Sequence, residues 1–109
     1  FNNKLKLIQL DLSENKLKIL PPNIFNGLLN LTSLNLASNE ISDLDVNLFK
    51  DLVNLKDLFL SKNNLKELGP FLFDNLIRLE TIYLDSSEIS SINEFTFNNK
   101  LISLRSIYL

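Results

Sequence analysis

The chain has 109 residues, 45% of them hydrophobic and 22% charged, and 11 basic residues against 13 acidic ones give a formal net charge of −2. That length suits one small domain rather than an enzyme with a cleft between lobes, and that balance leaves no electrostatic footprint for nucleic acid or an anionic membrane surface. Cys, His, Met and Trp are absent, which excludes disulfides, thiolate zinc sites, Cys–His pairs and Ser–His–Asp triads. No apolar run approaches the roughly 20 residues of a membrane span, and the N-terminus lacks the plan of a signal peptide.

Leu, Ile and Asn occur 26, 10 and 16 times, nearly half of the chain, a bias that points to internal repeats. In chain order the phrase LxxLxLxxNxL runs Leu7, Leu10, Leu12, Asn15, Leu17, then Leu31, Leu34, Leu36, Asn39, Ile41. It returns as Leu55, Leu58, Leu60, Asn63, Leu65 and as Leu79, Ile82, Leu84, Ser87, Ile89, and begins again at Leu104, Ile107, Leu109. The starts at 7, 31, 55 and 79 are 24 apart, and the last step, to 104, is 25. Each second half recurs too, with Leu20, Leu44, Leu68 and Ile92 at position 14 and Phe25, Phe49, Phe73 and Phe97 at position 19. The units are therefore 7–30, 31–54, 55–78 and 79–103, with 1–6 closing a preceding unit and 104–109 opening the next.

A helical bundle is the rival for a Leu-rich chain. Leu spacings of 3, 2 and 5 match neither a 3.6-residue period nor a heptad. Pro21-Pro22 and Gly69-Pro70 also fall where a bundle helix would need to run on. A strand accounts for the phrase better: positions 4 and 6 point inward while positions 3 and 5 point out. Parallel strands need crossover connections, which are almost always right-handed, and a unit this short gains its stability by stacking on its neighbours. Asn15, Asn39 and Asn63 at position 9 are expected to form a structural ladder, their amides satisfying backbone groups that the turn leaves unpaired. Coil four carries Ser87 in that place, Thr96 where the others have Ile or Leu, and an extra residue near Lys100. It is expected to be the loosest coil.

The phrase, with Leu20-Pro21-Pro22-Asn23-Ile24-Phe25-Asn26-Gly27-Leu28 as its second half, resembles the leucine-rich repeat of the 24-residue extracellular type. The resemblance covers essentially the whole chain. It implies an α/β solenoid: a right-handed coil with a short-stranded parallel sheet on the concave side and mostly irregular or short helical returns on the convex side. The chain is similar to Toll-like receptor ectodomains and to secreted or cell-surface leucine-rich repeat proteins of animals. Phe1 falls on position 19 of a coil whose strand is missing and Leu109 on position 6 of the next, so an interior segment of a longer ectodomain, without the family's Cys-rich caps, is expected. Localisation on that resemblance is extracellular or at the cell surface, as is dimerisation of a parent protein.

Function in a solenoid is carried by the outward columns, because the inward ones are committed to packing. Position 5 reads Asp11, Asn35, Phe59, Tyr83, Tyr108, and position 3 reads Gln9, Ser33, Asp57, Thr81, Ser106. Three successive exposed aromatics beside a short polar column suit a protein or peptide ligand, with Phe59, Tyr83, Tyr108, Asp57, Thr81 and Asn35 as the candidate contacts. Their alternative role is cross-strand stabilisation of the sheet itself. Lys56, Glu80 and Arg105 at position 2 place opposite charges on neighbouring strands, an arrangement read as a solvated stabilising row. Phe71 and Phe95 each precede a position-19 Phe by two residues and are expected to be buried under the return loop, with a lateral contact as the alternative. Asn30-Leu31-Thr32 spells an N-glycosylation sequon, although Asn before the opening Leu is ordinary for the repeat, as Asn54 illustrates.

Three functions follow. The first is non-catalytic protein recognition by the concave face. The second is a structural spacer that sets curvature and reach while other coils bind. The third, an enzyme, has no support: the 13 carboxylates are scattered, and no phosphate loop or nucleophile motif accompanies them. No cofactor or metal is called for. Nothing in the outward columns chooses between an immune and a developmental role.

Overall fold

The computed structural model describes residues 6–109; Phe1, read as position 19 of the preceding coil, lies outside them. Five three-residue strands, β1 (Gln9–Asp11), β2 (Ser33–Asn35), β3 (Asp57–Phe59), β5 (Thr81–Tyr83) and β7 (Ser106–Tyr108), make a parallel sheet in the order β1-β2-β3-β5-β7. Between them β4 (Glu67–Leu68) and β6 (Ser91–Ile92) pair as a second, two-stranded parallel sheet. The register follows the repeat: Leu10, Leu34, Leu58, Ile82 and Ile107 stand in line, as do Asp11, Asn35, Phe59, Tyr83 and Tyr108. The extra residue near Lys100 is thus taken up in the return, and Tyr83 still meets Tyr108. Backbone ladders extend past the strands: the Leu12, Leu36, Leu60 and Leu84 N–H groups donate to the carbonyls of Asn35, Phe59, Tyr83 and Tyr108 at 2.7–2.8 Å.

Alternation decides the faces. Leu34, Leu58 and Ile82 are fully buried while both of their strand neighbours are partly exposed. Leu31, Leu36, Leu55, Leu60, Leu79 and Leu84 complete columns in one continuous core. At position 19 the four Phe rings form a spine, with centroids 6.5 Å apart for Phe25–Phe49, 6.0 Å for Phe49–Phe73 and 5.5 Å for Phe73–Phe97. The returns are built from turns rather than α-helix among the described residues. In coil one the Ile24, Asn26, Leu28 and Leu31 N–H groups each donate to the carbonyl three residues earlier. Pro21 and Pro22 fit because turns, unlike a continuous helix, need no donor from them.

The Asn ladder forms as the repeat requires. Asn63 is buried; its Nδ2 donates to the carbonyls of Leu36, Leu60 and Ser61, and its Oδ1 accepts the N–H of Ile41 at 3.0 Å. Asn39 does the same one coil earlier, reaching Leu12, Leu36 and Ala37 and accepting from Leu17 N–H. Asn15 is exposed and, among the described residues, reaches only Leu12 and Ser13 within its own coil.

Ser87 is buried, and its Oγ accepts the Asn63 N–H at 3.1 Å, so the hydroxyl is used. It is too short to do for Leu65 N–H what Asn63 does for Ile41 and Asn39 for Leu17. Restoring the amide with Ser87→Asn should raise stability by about 1 kcal/mol. Urea denaturation and the exchange rate of the Leu65 amide read this, and unchanged exchange would mean that the coil is not weakened here. Thr96 fits despite its hydroxyl: it is fully buried, and Oγ1 lies 3.0 Å from the Leu68 carbonyl and 2.7 Å from that of Gly69.

One feature lies beyond the sequence expectation and one overturns it. Position 8 of every coil is left-handed, with φ of 57° at Glu14 and Ser38, 56° at Lys62 and 63° at Ser86, although none is Gly. Phe71 and Phe95 are not buried under the return loop. They are 51% and 49% exposed and stack on each other outside the coil at 5.6 Å. Leu72 and Phe73 after Phe71, and Thr96 after Phe95, already fill the interior. Phe71 also adopts φ 61°, with its N–H donating to the Phe95 carbonyl, which turns the side chain outward.

Candidate functional site

The outer face of the five-stranded sheet carries the candidate residues. Strands β3, β5 and β7 hold Phe59, Tyr83 and Tyr108 in register, and adjacent strands are about 4.8 Å apart. That spacing imposes the ring geometry. Phe59 and Tyr83 stack at 4.6 Å with planes 6° apart, and Tyr83 and Tyr108 at 4.9 Å, also at 6°. Tyr83 is covered on both faces, while Phe59 and Tyr108 are each stacked on one face only, so the column offers ring edges, its two end faces and two phenol hydroxyls. Neither hydroxyl is hydrogen-bonded among the described residues. Tyr108 remains half exposed, while Phe59 and Tyr83 are partly covered.

On one side runs the polar column of Ser33, Asp57, Thr81 and Ser106, in register across β2, β3, β5 and β7. All four are partly buried, and none of their side chains has a hydrogen bond or ion pair among the described residues. At the polar end of the ring column itself and along position 7 beyond it, the polar groups are already occupied with each other. Asp11 accepts from the hydroxyl and N–H of Ser13, Asn35 Oδ1 accepts the Ala37 N–H, and Ser61 Oγ donates to Asp85 at 2.6 Å. The Ser13 hydroxyl, and then its N–H, hold the Asp11 carboxyl below the ordinary carboxylate range. The structure therefore brings together Phe59, Tyr83, Tyr108, Asp57 and Thr81, none with a side-chain hydrogen bond or ion pair among the described residues, and adds Asn35 with its oxygen committed.

Lys56, Glu80 and Arg105 stand on successive coils, their backbones joined by Glu80 N–H to Lys56 and Arg105 N–H to Glu80 at 2.8 Å. They form no ion pair; among the described residues, the pairs within 4 Å are Lys18–Glu40 and Lys100–Asp74. No group of three or more acidic residues among the described residues could hold a metal, and no helix there is long and apolar enough to cross a membrane. Asn30 is exposed while Leu31 of its sequon is fully buried.

One outward column escaped the sequence reading. Leu29, Val53, Ile77 and Ile102 are 43%, 37%, 46% and 82% exposed, each following a buried Leu at position 22. The recurrence at steps of 24, 24 and 25 was there to be found; its apolar character disguised it as core.

A parallel sheet stacked in coils of 24, with a carboxamide ladder and a Phe spine, defines a leucine-rich solenoid whose sheet face is open. The leucine rich repeat family profile matches residues 1–41 and 29–87, and the chain belongs to that family. It is similar to the solved Toll chain of the Drosophila Toll–Spatzle complex in its glycosylated form, at 31% identity with a TM-score of 0.90, over 94% of this chain and 14% of that one. A second structure of the Toll–Spatzle complex gives 33% identity and a TM-score of 0.86, over 90% of this chain and 13% of that one. The TLR13–ssRNA13 complex gives 32% and 0.82, over 89% of this chain and 14% of that one. The repeat is thus of the Toll-like type, and the chain spans about one seventh of the solved chains it matches. No curated protein matches the chain. One of these relatives is in complex with single-stranded RNA, which runs against the expectation, drawn from charge alone, that nucleic acid is excluded.

Proposed function

We propose that the chain is a non-catalytic recognition segment of an extracellular or cell-surface protein, binding a protein or peptide ligand on its concave sheet face. The observation that carries this reading is the stacked column of Phe59, Tyr83 and Tyr108 standing outside the core, beside polar side chains that have no partner of their own among the described residues. Large rigid aromatics with adjacent unspent hydrogen-bonding groups are what interface anchors require. Asp57 and Thr81 supply polar contacts, and Asn35 marks where the aromatic column ends. Toll–Spatzle, a protein–protein complex, supports a protein ligand by analogy.

Coils one and two favour a spacer role for their own stretch. Their outward residues are polar or small at positions 3, 5 and 7, and Asp11 and Asn35 accept from Ser13 and Ala37, respectively, within their own coils.

Tyr83→Ala and Phe59→Ala test the site. Each should weaken ligand binding by the parent protein about tenfold or more while leaving the fold intact. Binding measured by surface plasmon resonance that is unchanged in both variants would remove the column from the site.

A further inference from the structure

Two classes of macromolecule occupy the related solved chains, a protein and a single-stranded RNA, and the chemistry of this face discriminates between them. A base-stacking platform needs free ring faces. Here Tyr83 is covered on both faces, by Phe59 at 4.6 Å and by Tyr108 at 4.9 Å, with planes 6° apart on each side, so successive bases cannot intercalate along the column and only its two end faces are left for stacking. A phosphate backbone needs cations along its path. The columns at positions 3, 5 and 7, which bracket the rings, hold Asp11, Asp57 and Asp85 and no Lys or Arg.

These three carboxylates are not equivalent. Asp11 is bonded twice by Ser13, and Asp85 accepts the Ser61 hydroxyl. Asp57 is partly buried, lies two residues from Phe59, and stands in register between Ser33 and Thr81. Its carboxylate has no hydrogen bond and no ion pair among the described residues. Its neighbour in sequence, Lys56, is exposed and makes no ion pair with it among the described residues. A partly desolvated, unpaired carboxylate beside an apolar column is incomplete as it stands.

Resting on the recognition reading above, we propose that the partner is a protein segment that places an Arg or Lys side chain on Asp57. The same segment lays apolar side chains against the edges of Phe59, Tyr83 and Tyr108. Thr81 and Ser106 line the rest of its path and offer hydroxyls to its backbone. The segment runs across the strands, along positions 3 and 5, from coil two to the end of the ring column. A guanidinium suits Asp57 best, because its planar fork can engage both carboxylate oxygens.

The test is proton–nitrogen NMR on the full 109-residue chain, titrated with three probes at low and high salt. They are a blocked Gly-Arg-Leu-Arg-Gly peptide, the same peptide with Glu for Arg, and a 13-nucleotide single-stranded RNA. The Arg peptide is expected to shift the amides of Asp57, Phe59, Thr81 and Tyr83, more strongly at low salt. Asp57→Asn should weaken it about tenfold, the worth of one charge-assisted pair, in a variant whose remaining spectrum shows it folded. Equal shifts from the Glu peptide, tightest binding of the RNA, or an Asp57→Asn variant that binds like the parent would each overturn the cationic partner. If Tyr83→Ala still abolished binding in those cases, the recognition face would stand. Shifts that ignore Tyr83→Ala altogether, or the absence of any shift with all three probes, would overturn both.

Discussion

Asn63→Ala is expected to cost about 3 kcal/mol of stability, although the residue is neither apolar nor large. The carboxamide makes four hydrogen bonds in a place that water does not reach. Without it the N–H of Ile41 and the carbonyl of Leu60 lose the partners that the structure gives them, whereas the Leu36 carbonyl keeps Asn39. Two orphaned backbone groups at about 1–3 kcal/mol each set the magnitude. Asn63→Asp is no rescue, because it retains the acceptor for Ile41 but turns a negative charge toward three carbonyls. Asn15→Ala supplies the contrast. That amide is exposed and bonds only within its own coil, so its loss should cost well under half as much. Equal destabilisation of the two variants in urea denaturation would mean that the ladder does not couple coils.

Much of this architecture is legible in the sequence, for a physical reason. A residue that must be buried once per coil recurs once per coil, so Leu34, Leu58 and Ile82 or Phe25, Phe49 and Phe73 declare themselves by spacing alone. Register follows, since the same interval that repeats Asp57 and Thr81 also pairs them. What escaped has the opposite character. The left-handed turn at Ser38 or Lys62 is a backbone requirement met without Gly, so no residue type advertises it. Phe71 and Phe95 share the chemistry of the spine residues, and only the prior filling of the interior by Leu72, Phe73 and Thr96 sends them out. The β4–β6 pair depends on Glu67 and Ser91, whose side chains play no part in the bonds that join them. In the candidate site the rings were visible beforehand. The division between the satisfied Asp11 and Asp85 and the unpaired Asp57 was not, because it depends on which hydroxyl each carboxylate can reach.

Phe49→Ala should be the most damaging single change in the chain, at about 3–5 kcal/mol. The ring is 2% exposed and lies between Phe25 at 6.5 Å and Phe73 at 6.0 Å, so its removal empties a space walled by two other coils. Neither neighbour can move in to fill that space without leaving its own. The consequence is more than lost transfer energy. In a stacked array each coil is stabilised by the interfaces on its two sides, and Phe49 belongs to both interfaces of coil two. Weakening them together uncouples coil one from coils three and four, so the unfolding transition should broaden as well as move to lower urea. Phe95→Ala isolates this effect from the mere loss of an aromatic pair. Phe95 also stacks on a neighbouring ring, Phe71 at 5.6 Å, but it is 49% exposed. Its removal opens no internal space and should cost about 1 kcal/mol, with the transition as sharp as before. Circular dichroism across a urea series gives both midpoint and slope for each variant. If Phe49→Ala shifted the midpoint no further than Phe95→Ala, the spine would be an ornament of the repeat and the coils would hold together through their leucines and amides alone.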